Sequence, residues 1–255
     1  MAGHSHWARI KRAKAVTDAR RGRLWSKLSR RIIVAAKTGG GKPEENLQLR
    51  YAIDEAREAN MPKDTIENAI NRGTGELGAE NYERVIYEGY GPGGVAIMVE
   101  CLSDNRNRTA AAIRKIFERA GGQLGATNCV GWMFAQKGTF TIPVSTVDED
   151  ELIEICLEAG ADDVKREGDV FEVTCEAGSF GDVKEALATR GLETIAAEIA
   201  MIPNSTVTLG EDKAQQVLNL LEALQDDDDA QNVFANYDIS AEVAAKLDAE
   251  TGKPL

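Results

Sequence analysis

Only two histidines and four cysteines occur in the 255-residue chain, and no apolar run is long enough to cross a bilayer. A membrane span needs about 20 predominantly apolar residues, so no transmembrane segment is expected. The start also lacks the apolar stretch of a secretory signal. The predicted location is therefore the cytoplasm, or a compartment reached by another import route. Cys101, Cys129, Cys156 and Cys175 stand 28, 27 and 19 residues apart with no C-x-x-C spacing. With so few histidines to join them, they read as reduced, mostly buried thiols rather than zinc ligands. Both histidines, His4 and His6, fall in the first six residues. A general base from so short a terminal arm makes Ser-His-Asp or Cys-His catalysis implausible. No enzyme, no cofactor, no metal and no small-molecule substrate are expected.

What the chain does have is an uneven charge. Residues 1–42 carry 12 Lys and Arg against one acid, Asp18, while the whole chain has a net charge of -12. An acidic body thus carries a basic head. That asymmetry suits an arm that meets a polyanion, with the acidic body limiting non-specific adhesion. The competing reading is a head docked on the protein's own acidic residues.

Periodicity predicts a helix over Asp18 to Lys37, with Leu24, Leu28, Ile32 and Ala35 in one apolar stripe beside Trp25 and Ala36. Arg20, Arg23, Lys27, Arg30 and Arg31 fall in a neighbouring arc roughly 100° wide. A second helix is predicted from about Pro43 to Ala59, burying Leu49, Ala52, Ile53 and Ala56. A third carries Ile66, Ala69 and Ile70 to Arg72-Gly73, where Gly73 is expected to cap it. Residues 1–79 thus read as an all-helical domain.

Beyond residue 79 strands appear over Arg84 to Tyr90, Val95 to Leu102 and Val130 to Ala135, with a helix from Arg106 to Ala120. Residues 138–203 then follow a β-α-β-β-α-β order, that of a ferredoxin-like sandwich. A strand at 206–209, a helix at 212–224 and a strand at 232–237 are too few to bury a core alone. Added to 80–137, residues 204–240 complete a second α/β sandwich, so the third domain is expected to be inserted in the second. Residues 241–255 form a tail. The fold class is α+β.

Gly89-x-Gly91-x-x-Gly94 matches a dinucleotide fingerprint in letters, but a strand rather than a helix follows it, which predicts a hairpin turn instead. Asp226 to Asp229 invites a metal-dependent nuclease reading; a run directly after a helix reads more simply as a solvated turn. Ala2-Gly3-His4 could offer nitrogens to Cu(II) or Ni(II) if Met1 is removed, yet histidines among Lys, Arg and Trp better suit phosphate contact and base stacking. Asp104 or Asn105 can cap the helix that follows. Arg106 and Arg108 there oppose the helix dipole, so Asn105, Arg106, Asn107 and Arg108 form a candidate second phosphate site. Pairing with Glu100 or Asp104 is the simpler alternative.

Gly3-His4-Ser5-x-Trp7-Ala8-x-Ile10-Lys11, Asn60-Met61-Pro62-Lys63-Asp64, Tyr87 to Gly94, Asp104 to Thr109, Met201-Ile202-Pro203-Asn204 and the Asp226 to Asp229 run with Gln231-Asn232-Val233 together resemble the YebC family, which includes mitochondrial translational activators. The resemblance spans nearly the whole chain. It implies a helical N-terminal domain and two α/β domains, the third inserted in the second. It also implies regulation of gene expression, as DNA-binding transcriptional regulators or as ribosome-associated factors that help synthesis through proline-rich stretches. His6, Arg9 and Arg12-Ala13 depart from the family's usual head residues with charge largely kept.

The helix at Lys63 to Arg72 has no net charge and makes a poor reader of the major groove. The predicted partner is therefore RNA, rRNA or tRNA on the ribosome, with DNA as the alternative and a nuclease as a distant third. The predicted contacts are His4, His6, Trp7, Arg9, Lys11, Arg12, Lys14, Arg20, Arg21, Arg23, Lys27, Arg30 and Arg31.

Overall fold

A computed structural model describes residues 18–78, 81–240, 242–244 and 246–247, with side chains from residue 22 onward. The described residues fall into two compact units, one lying within 18–129 and 216–233 and the other within 130–215 and 234–247.

In the first unit the predicted helices form as α1 (Asp18–Gly39), α2 (Leu47–Glu58) and α3 (Lys63–Thr74). The apolar stripe of α1 is the core of this bundle: Leu28, Ile32, Ala35 and Ala36 are buried with Ile33, against Leu49, Ile53 and Ala56 of α2 and Ile66 and Ala69 of α3. Two boundaries differ from the sequence expectation. α2 starts at Leu47 because buried Asn46 caps it, its side-chain oxygen accepting from Leu49 N at 3.1 Å. The Asn46 amide nitrogen also donates to the Ala35 and Gly40 carbonyls at 2.8 Å each, tying the end of α1 to the start of α2.

The cap of α3 is Gly75, left-handed at φ 89°, not Gly73. Gly73 lies inside the helix for a packing reason: a Cβ there would stand 2.6 Å from the Ile33 carbonyl oxygen and 2.7 Å from Ala36 Cβ. Only a residue without a side chain lets α1 and α3 approach so closely.

The same unit holds a four-stranded sheet ordered β3-β1-β2-β9, from β1 (Glu83–Tyr90), β2 (Ala96–Ser103), β3 (Gln123–Leu124) and β9 (Ala230–Ala235). β1 and β2 are antiparallel, Glu83 opposite Ser103 and Tyr90 opposite Ala96. The glycine-rich segment between them is a short turn, as expected, in which Gly94 takes φ 78°. α4 (Arg106–Arg119) buries Thr109, Ile113 and Phe117.

The second unit carries a sheet ordered β5-β6-β4-β7, with every neighbouring pair antiparallel. Its elements are β4 (Phe134–Pro143), α5 (Glu149–Glu158), β5 (Ala161–Glu167), β6 (Val170–Glu176), α6 (Phe180–Thr189) and β7 (Ala196–Pro203). This chain order and strand order are those of a ferredoxin-like sandwich. Its core includes Phe140 stacked on Phe180 with ring centres 4.8 Å apart, together with Leu152, Phe171, Val173 and Leu187. The strand predicted over 130–135 and the first strand of the 138–203 unit are one continuous strand, β4.

α7 (Glu211–Gln225) follows the short strand β8 (Val207–Leu209), which pairs in parallel with β10 (Tyr237–Ile239) as a separate two-stranded sheet. Buried Asn236 separates β9 from β10 where a single strand was predicted. Cys101, Cys156 and Cys175 are buried and Cys129 is half-buried, all four as free thiols, as the spacing predicts.

Candidate nucleic-acid interface

His4, His6, Trp7, Arg9, Lys11, Arg12 and Lys14 lie outside the described residues. Arg20 and Arg21 lie within α1. The remaining predicted contacts on α1 share one side of the helix, as their spacing requires. That side faces the segment from the end of α7 into β9.

Arg23 Nη1 is 3.7 Å from Asp226 Oδ1. Lys27 Nζ donates to the Gln225 carbonyl at 2.6 Å. Burial pulls the Lys27 ammonium below its ordinary pKa, against the opposing pull of Asp227, Asp226 and Asp228. Arg30 donates to the Asp228 carbonyl and, at 3.0 Å, to Asp229 Oδ1, and its guanidinium lies over the Tyr82 ring at 5.4 Å. Arg31 donates to both Glu55 oxygens at 2.7 Å, to Gln231 Oε1 at 3.1 Å and to Asn232 Oδ1 at 3.0 Å.

Asp229 is the centre of this contact. Its side chain is 8% exposed; besides Arg30 it accepts from Arg108 Nη2 at 2.9 Å and from Thr109 Oγ at 2.5 Å. Its backbone carbonyl accepts from Leu102 N at 2.9 Å. A buried carboxylate must be matched in this way, because desolvating an unpaired charge is prohibitive. The solvated-turn reading of Asp226 to Asp229 is thus corrected at Asp229, which joins α1, β2 and α4. Among the described residues no group of three or more His, Cys, Asp or Glu is arranged to hold a metal ion.

At the start of α4, Asn105 caps the helix by accepting from Arg108 N at 3.1 Å. Arg106 Nη1 is 3.9 Å from Glu83 and Asn107 is exposed. Arg108 is shared between Asp229 and Asp104, and both carboxylates hold its guanidinium more firmly charged than usual. Arg84 pairs with Glu100, which also accepts from Asn232 Nδ2 at 2.9 Å. The arginines around the 320 Å³ cavity near Tyr51 and Cys101, Arg31 and Arg84, are therefore already matched.

Sequence reasoning named the cations of α1 and weighed the acidic run separately; it missed Asp229, Thr109, Gln231 and Asn232 as their partners. The available signal was numerical: four consecutive carboxylates in one run and four cations, Arg23, Lys27, Arg30 and Arg31, on one helix side.

These features define a class: an α+β protein with an N-terminal helical region followed by sheet domains, its first described helix basic and its body acidic. Residues 5–76 match the TACO1/YebC protein N-terminal domain, and residues 82–237 match the TACO1/YebC second and third domain. The chain belongs to the TACO1/YebC family. It is 53% identical over 241 residues to a probable transcriptional regulatory protein of Pelotomaculum thermopropionicum, covering 94% of this chain and 99% of that protein. A protein of the same description from Dictyoglomus turgidum is 52% identical over 248 residues, covering 97% of this chain and all of the relative. The crystal structure of a conserved hypothetical protein from Aquifex aeolicus superposes with a TM-score of 0.81 at 47% identity, covering 89% of this chain and 94% of that one. Among the described residues no helix is long and apolar enough to cross a membrane.

Proposed function

We propose that this protein is a non-enzymatic, nucleic-acid-binding regulator of gene expression, and in its finer form an RNA- and ribosome-associated translation factor acting in the cytoplasm. The observation that carries the reading is the concentration of 12 cations against one acid in residues 1–42 of a chain whose net charge is -12. The relatives' description as probable transcriptional regulatory proteins supports the regulatory class. Assistance to proline-rich synthesis rests on the family resemblance. In this proposal residues 1–79, 80–137 with 204–240, and 138–203 act as three domains.

His4, His6, Trp7, Arg9, Lys11, Arg12 and Lys14, with Arg20 and Arg21, make the first contact with RNA. Arg23, Lys27, Arg30 and Arg31 join only by exchanging their carboxylate and carbonyl partners for phosphates. Asn105 to Arg108 add a second phosphate contact on the same terms. RNA is favoured over duplex DNA because α3, the helix a helix-turn-helix would insert, has two cations against two acids, and its Lys63 lies 3.4 Å from Glu67. A groove-reading helix needs cations and polar groups free to face bases and phosphates.

DNA-directed transcriptional regulation is the second reading, favoured by the relatives' description. Ribosome co-sedimentation beside a salt-titrated DNA shift separates the two. Replacing Arg9, Lys11, Arg12 and Lys14 by Glu should abolish association in whichever assay is positive. Unchanged ribosome and DNA association would sink both readings.

A further inference from the structure

α4 is the anomaly of the acidic body. It carries Arg106, Arg108, Arg114, Lys115 and Arg119 against one carboxylate, Glu118, whereas α5 has five carboxylates and no cation. The two arginines of its first turn have counter-charges, as described above. Arg114, Lys115 and Arg119 are exposed, and among the described residues they have no hydrogen-bond or ion-pair partner.

Their placement follows from helix geometry. At about 100° per residue, Arg108, Lys115 and Arg119 fall within roughly 40° of one another, on the side opposite buried Ile113 and Phe117. Along the axis this row spans about 16 Å, at 1.5 Å per residue. Arg114 lies on the flank, with Glu118 between it and the row. Lys115 and Arg119 are one turn apart, where like charges repel. Arg119, in the last turn, complements the helix dipole, but Arg114 and Lys115 stand further in and gain less from it. The sequence here accepts like-charge repulsion with Glu118 as the one carboxylate of the helix.

We propose that the exposed face of α4, through Arg114, Lys115 and Arg119, is a docking surface for the phosphate backbone of single-stranded RNA. The inference rests on the nucleic-acid-binding reading above but assigns contacts outside the basic head. Lys115 and Arg119 in line, with Arg114 on the flank, fit a chain of phosphates better than a single anion. An acidic membrane fits poorly, because interfacial helices also present a large apolar face, and of the large apolar residues here Ile113 and Phe117 are buried and Ile116 is half-buried. Since Arg23, Lys27, Arg30 and Arg31 of α1 are matched by their own chain, Arg114, Lys115 and Arg119 of α4 are more accessible to an arriving strand than those four.

The test uses the full chain and a fluorescently labelled single-stranded RNA of about 20 nucleotides, titrated across a salt series. Each phosphate contact on a single strand contributes about 0.7 to the slope of log K against log salt. Combining Arg114→Ala, Lys115→Ala and Arg119→Ala should lower that slope by about 2 and weaken binding about 100-fold at 0.1 M salt. The charge-keeping set Arg114→Lys, Lys115→Arg and Arg119→Lys should bind like wild type. Because these side chains are exposed, an unchanged thermal melt verifies folding. A wild-type slope in the alanine variant, with binding lost in the residue 9–14 Glu variant, overturns this proposal and leaves the nucleic-acid reading standing. No salt-dependent RNA binding by wild type overturns this proposal whatever a DNA assay shows. Sedimentation with anionic phospholipid vesicles but not with RNA would overturn it in favour of a lipid surface.

Discussion

Replacing Asp229 by Ala removes one carboxylate and leaves three donors without it. Arg30 loses a 3.0 Å bond to Oδ1, and Arg108 and Thr109 lose bonds of 2.9 and 2.5 Å to Oδ2. Breaking a buried ion pair from one side typically costs about 3–5 kcal/mol, because the partner charge stays desolvated. Here the full cost is not reached. Arg108 is 53% exposed and can rehydrate, so it adds little to the loss. Arg30 is only 18% exposed but keeps the Asp228 carbonyl. A net loss of about 2–3 kcal/mol follows, which should lower the melting temperature by about 5–10 °C. Urea unfolding should show a lower midpoint at unchanged slope. A double-mutant cycle with Arg30→Ala should give a coupling of about 1–3 kcal/mol. A loss under about 0.5 kcal/mol, or strict additivity with Arg30→Ala, would refute the assignment of Asp229 as the centre of this contact.

Neutralising the exposed part of the run with Asp226→Asn and Asp228→Asn should raise RNA affinity threefold to tenfold, since surface pairings are worth about 0.2–1 kcal/mol each; weaker binding in a filter assay would contradict it. Burial raises the Cys101 thiol from its usual 9.0 to about 12. The folded state therefore binds more protons than the unfolded state between those values, and stability should fall as pH rises from 9 toward 12. Cys101→Val should flatten that part of the pH–stability curve, and a slope as steep as wild type would count against the assignment.

Much of this architecture was legible locally. Leu28, Ile32 and Ala35 mark the packed side of α1 by spacing alone, and Asn105 announces the start of α4. The β-α-β-β-α-β order of residues 138–203 could be read from alternating texture. Three features could not. Asn46 works through carbonyls of the preceding helix, a geometry no local pattern contains. Gly73 looks like a terminator because glycine usually is one; its role depends on how near Ile33 comes in space. The Asp226 to Asp229 run has no sequence link to α1, so its composition gave only a choice between solvent and metal, while packing supplied a third answer.

The contact between Lys27 and the Gln225 carbonyl joins residues 198 positions apart. At a synthesis rate of about 5–20 residues per second, α1 precedes its counter-charges by roughly 10–40 s. Throughout that interval Arg23, Lys27 and Arg30 of each nascent copy lack the partners at residues 225–229 that they meet in the finished chain. Newly made and completed molecules therefore differ in their attraction to polyanions, and the last quarter of the chain sets the moment at which that attraction is tempered.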